Sequence, residues 1–146
     1  MRKPLMLVAL LLAAPWLVES AAAQPMPRGY VTSSTRDAQL AGYYNAYARR
    51  IECVGNKAYP PSAKGRTLTL VATASIRADG TLENAVLERA SGVMELDTAV
   101  LAAMRGGAPY PAFSSALKSR YGALDLVSTW TFGPVGAREP KPPTDC

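Results

Sequence analysis

The stretch Thr67–Gly80, TLTLVATASIRADG, carries the strongest structural signal in the chain. Leu68, Leu70, Ala72, Ala74 and Ile76 alternate with Thr67, Thr69, Val71, Thr73, Ser75 and Arg77. Period two sustained this long puts the apolar set on one face of a strand and the mostly polar set on the other. Asp79-Gly80 then supplies a dipeptide that tolerates the positive φ of a tight hairpin turn. A return strand is expected from about Leu82 to Arg89, with Ala85 and Leu87 pointing inward. The pair reads as an antiparallel hairpin.

Upstream, Leu40, Tyr44, Tyr47, Ile51 and Val54 recur at three- and four-residue spacing and share one face of a helix. Ser34-Thr35-Arg36-Asp37 resembles its start, a hydroxyl at the cap with a carboxylate three residues on. Gly55 suits its C-terminal stop. The tyrosines 43, 44 and 47 could form a binding surface; helical spacing favours a core-facing stripe with one exposed member. Asn56 to Lys64 is a connector containing Tyr59-Pro60-Pro61.

Downstream, Ser91-Gly92 breaks the strand. Leu96, Ala99, Val100, Ala103 and Met104 predict an amphipathic helix ending at Gly106-Gly107, with Glu95 and Asp97 in its first turn and Arg105 in its last, as the helix dipole prefers. A proline-containing loop, Ala108 to Ser114, leads into a polar stretch. Leu124 to Phe132 is the last strand, with Leu124, Leu126, Ser128, Trp130 and Phe132 on one face. The order is helix-strand-strand-helix-strand. The fold expected is α+β, a two-layer sandwich in which a three-stranded antiparallel sheet carries both helices on its apolar face.

The chain's beginning reads as an export signal. Arg2 and Lys3 precede an apolar run from Leu5 to Val18, and Ala21-Ala22-Ala23 offers small residues for cleavage after Ala23. A retained anchor is the rival reading, but a spanning helix needs about 20 apolar residues, and this run is shorter and contains Pro15. The expected organisation is a signal over 1–23, a flexible leader over 24–36, one domain over 37–132 and a proline-rich tail over 133–146. The net charge of +5 comes from scattered basic residues, a weak basis for nucleic-acid binding. The two cysteines, Cys53 and Cys146, suggest a disulfide in an oxidising compartment. One buried and one exposed thiol is the alternative the sequence leaves open.

The chain contains no histidine, which removes Ser-His and Cys-His nucleophile arrangements and histidine-based metal sites. Gly106-Gly107 follows a helix, the reverse of a phosphate loop's order. Glu83, Glu88, Glu95, Asp97 and Asp125 read as ordinary surface or helix-end charges. Neither catalysis nor a metal or other cofactor is expected; a binding role is.

Several segments resemble the C-terminal domain of TonB-family proteins: Arg50-Ile51-Glu52, Val54-Gly55-Asn56, Tyr59-Pro60, Ser75 to Gly80, Arg89-Ala90-Ser91-Gly92, Leu96-Asp97, Ala108 to Phe113 and Thr129 to Phe132. The similarity spans about Gln39 to Phe132, and it lies in the order and spacing of these segments, since Y-P and D-G alone are common. The resemblance implies a protein partner: an outer-membrane receptor, or another envelope protein, whose short TonB box adds as a strand against the domain's last strand. Here that edge would be Leu124 to Phe132, with Asp125, Val127, Thr129 and Thr131 outward, small or polar where a blunted edge would carry lysine or proline; an ordinary edge strand guarded by the tail after Pro134 is its other reading. Tyr59 and Pro60 match a family segment near the receptor contact; a plain turn packed on the sheet is their other reading.

The chain departs from the usual energy transducer. A transducer keeps a transmembrane helix, typically with a histidine, and a long proline-rich rod. A dozen leader residues reach only ~40 Å. The expectation is therefore a periplasmic binding module linked to TonB-dependent transport. The alternatives are a membrane-anchored transducer for siderophore or nutrient uptake and a structural envelope protein that self-associates, a homodimer being its simplest form. Membrane contact follows only if the signal is retained.

Overall fold

The structure, a computed structural model, describes residues 24–55, 60–63 and 65–133. Its elements are β1 (Arg28–Val31), α1 (Ala38–Gly55), a 3-10 turn at Pro61–Ala63, β2 (Leu68–Arg77), β3 (Leu82–Arg89), α2 (Met94–Gly106), α3 (Ser115–Lys118) and β4 (Ala123–Phe132). The alternation that begins at Leu68 is realised in full: Leu68, Leu70, Ala72, Ala74 and Ile76 are all buried. They meet Leu40, Tyr47 and Ile51 from α1 and Leu96, Val100 and Met104 from α2 in one core.

The hairpin turn is tied down from outside. Gly80 has φ of +90°, and a Cβ there would stand 2.1 Å from the Tyr110 carbonyl oxygen. The Tyr110 amide donates to the Gly80 carbonyl at 2.9 Å, and the Phe113 amide to that of Ala78 at 2.9 Å. The proline-containing loop is thereby docked across the end of the sheet.

The sheet differs from the one expected. It has four strands in the order β1-β4-β2-β3, and it is mixed: β1 runs parallel to β4, whereas β2 is antiparallel to both β3 and β4. The extra strand comes from the stretch expected as a flexible leader. Only four residues, RGYV, alternate there, too few for a periodic signal, and pairing with the far side of β4 supplies what the local sequence lacks. Val31 is fully buried, and the Gly122 amide donates to the Pro27 carbonyl at 2.9 Å. Gly29 permits the approach, since a Cβ on it would meet Leu124 Cδ2 at 2.6 Å.

Three local details also differ. The Asp37 carboxylate, not Ser34, caps α1, accepting from the amides of Gln39 at 3.0 Å and Leu40 at 3.1 Å. Residues 32–35 instead form a turn in which the Thr32 amide donates to Thr35 Oγ1 and the Thr35 amide to the Thr32 carbonyl. The tyrosine stripe has no exposed member: Tyr43, Tyr44 and Tyr47 are all buried. Tyr43 packs edge-on against Phe113 and donates to the Pro111 carbonyl at 2.8 Å, so the docked loop covers it. The polar stretch after Ser114 holds the single-turn α3, whose Leu117 is buried while Ser114 Oγ accepts from the Leu117 amide.

Residues 1–23 and 134–146 lie outside the described residues, and so do the expected export signal and almost all of the tail. Among the described residues no helix is long and apolar enough to cross a membrane.

Candidate strand-addition edge

β4 is ten residues long and pairs with β2 along its whole length in unbroken register, from Ala123 opposite Arg77 to Phe132 opposite Leu68. Its other side is divided. β1 covers it from Ala123 to Leu126, and the turn at Thr32–Thr35 then lifts the chain away towards α1. From Val127 to Thr131, β2 is the only strand beside β4 among the described residues. A half-paired strand offers its remaining amides and carbonyls to any extended segment that lies alongside.

The expected site residues fall on both halves. Val127, Thr129 and Thr131 stand on the open stretch, with side chains directed away from the helices. Asp125 does not belong to it. Its backbone position is covered by Tyr30 of β1, and its carboxylate accepts from Ser75 Oγ at 2.6 Å and pairs with Arg28 at 2.9 Å. Pro60 lies immediately before the 3-10 turn, and its carbonyl accepts from the Ala63 amide at 3.1 Å. That turn bonds to α2 through Ser62 and Glu95. Tyr59 lies outside the described residues. Cys53 is buried in the last turn of α1 and is not a free thiol; Cys146, its expected partner, also lies outside them.

Beneath the junction between the two halves stands α1. The Tyr44 hydroxyl lies 3.4 Å from the Val127 carbonyl, a long contact at the head of the open stretch. Further along, the Trp130 ring approaches Gly55 at the end of α1 and stacks on Phe132 at 6.3 Å between centroids.

The open face of the sheet carries charge that sequence reasoning treated as ordinary. The Arg28 guanidinium bridges Asp125 on β4 and Glu83 on β3, and Arg77 adds a second cation to Glu83 at 3.2 Å. The hydrogen bond from Arg28 is the main reason that the Glu83 carboxyl is held below its usual range. Beside this cluster lies a shallow depression of about 500 Å3, lined by Tyr30, Val71, Val86, Glu88, Asp125 and Val127. Arg28 and Tyr30 had no signal in the sequence beyond a four-residue alternation, and their place over β4 is a product of tertiary pairing.

The architecture is an α+β sandwich with one covered sheet face and, among the described residues, a β4 edge that is only partly paired. Residues 41–122, more than half of the chain, match the family described as TonB C terminal, and the chain belongs to that family. Domains of this family serve protein interaction in TonB-dependent transport at the cell envelope, not catalysis. No curated protein and no solved structure matches the chain.

Proposed function

We propose that this chain is a periplasmic binding module that takes an extended segment of an outer-membrane receptor, or of another envelope protein, as an added strand along Val127–Thr131. One observation carries the reading: of the unpaired strand edges among the described residues, β1 offers only four residues, β3 is irregular, and the stretch of β4 beyond β1 is regular. β3, at the far side, has register shifts opposite Val71/Ala72 and Ser75/Ile76 and carries Glu83, Glu88 and Arg89. Bulges and charges are how sheets discourage pairing. The open half of β4 has neither, and its sequence VSTWT is β-branched and aromatic, suited to a pleated surface. Main-chain hydrogen bonds would supply the grip and alternate side chains the selectivity.

Titration of the 15N-labelled chain from Gln24 onward with receptor-derived extended peptides tests this. The expected result is amide shifts concentrated in Val127–Thr131. Shifts confined to β3, or none at all, would overturn it. The location rests on cleavage after Ala23, so N-terminal sequencing of the native protein should begin near Gln24; a start at Met1 favours the anchored transducer instead.

A further inference from the structure

Arg28 occupies the lane beside β4 at the position opposite Ala123, and from there its side chain and that of Glu83 on β3 meet across β4 and β2. Glu83 stands where the β2–β3 register skips from Asn84 to Leu82, and Glu88 stands at the other skip, between Leu87 and Arg89. Both bulge residues turn their carboxylates to the open face. Glu83 meets Arg28 and Arg77 there, and Glu88 accepts from Thr73 Oγ1 at 2.8 Å. Through β2, the first skip is level with Leu124 and Asp125 and the second with Ser128 and Thr129. The two carboxylates are therefore displaced by four residues along β4, roughly 13 Å at the rise of a strand.

Displacing Arg28 by the same four residues along its lane brings it opposite Val127, the first residue that β1 leaves uncovered. A side chain placed there points to the open face, because Arg28 and Tyr30 do so at the two preceding alternate positions. Its stem would lie along Val127 and Val71, next to Tyr30, which is 68% exposed. At the far side waits Glu88, which makes no ion pair among the described residues. We infer that the open lane selects a partner segment carrying an arginine or lysine opposite Val127, received by Glu88 as Glu83 receives Arg28. The inference rests on the strand-addition reading and names the chemistry of its partner.

The test uses fluorescein-labelled pentapeptides of alternating valine and threonine, with arginine, glutamine or glutamate substituted at each position in turn, read by anisotropy at low salt. At one position arginine should bind about three- to fivefold more tightly than glutamine, the range of a partly exposed ion pair, and glutamate more weakly. Glu88→Gln should abolish this preference while the glutamine peptide binds as before, and added salt should do the same. Equal binding of all three peptides overturns the inference and leaves strand addition standing; no binding by any peptide overturns both. Two further results would also overturn it. One is a loss of stability in Glu88→Gln that disappears in a chain ending at Gly133, which would assign Glu88 to Arg138 or Lys141. The other is a dimer that Glu88→Gln dissociates, which would assign it to a second copy.

Discussion

Gly80 and Glu83 show how single residues hold the hairpin to its surroundings. At Gly80 the backbone is left-handed and a carbonyl occupies the space that a side chain would need. Gly80→Ala combines the αL penalty of a residue with a Cβ with displacement of the docked loop. Urea unfolding should show a loss of ~2 kcal/mol or more. Glu83 acts through charge. Its folded-state pKa is lowered, chiefly by the Arg28 hydrogen bond, so its contribution is fully present above the unfolded value of ~4.3. It is lost as pH falls through the lower folded value. Protection of the amides in residues 28–31 against exchange, taken relative to the intrinsic rate at each pH, should therefore fall between about pH 5 and pH 3. In Glu83→Gln that acid-dependent step should shrink.

At the scale of elements, β1 decides how much of β4 is left unpaired among the described residues. It is the shortest strand in the sheet, yet Val31 is fully buried and Gly29 is fitted against Leu124. A chain beginning at Ser33 should lose ~2–4 kcal/mol of stability, the cost of uncovering a valine and the leucines beside it. A synthetic peptide containing Arg28–Val31 should restore part of it, read as a rise in melting temperature that saturates with peptide. A peptide that leaves the truncated chain unchanged would mean that β1 is an accessory to the sheet. The same element marks where sequence reading stopped. The eleven-residue alternation around Ala72 exceeds any local competitor, whereas RGYV has no period to detect and becomes a strand only because β4 has an unpaired side.

Across the whole molecule, two sequence-distant cysteines offer the longest-range constraint. We propose that Cys53 and Cys146 are bridged; intact protein should then contain no thiol that alkylates before reduction. Closing a loop of roughly 90 residues constrains the unfolded chain by up to ~4.5 kcal/mol on the chain-entropy account. Reduction, or the paired change of both cysteines to serine, should lower the urea midpoint accordingly. The family's hairpin and both long helices were legible because each satisfies a local period: two for Leu68 to Ile76, 3.6 for Leu40 to Ile51 and Leu96 to Met104. Burial of the sheet's inner face follows from that pattern alone.

By itself, then, the sequence determined the α+β class, the antiparallel hairpin and the inward residues of β4. Tertiary structure alone decided which part of β4 remains open. β1 withdraws Asp125 into an ion pair with Arg28 and leaves Val127, Thr129 and Thr131 beside a lane that no other described strand fills. It also turned Glu83 and Glu88 from ordinary surface charges into two equivalent bulge positions. The physical reason is range. Periodicity reports which face a residue takes within its own element, whereas an edge is covered or open according to a segment about a hundred residues away, whose pairing no local pattern encodes.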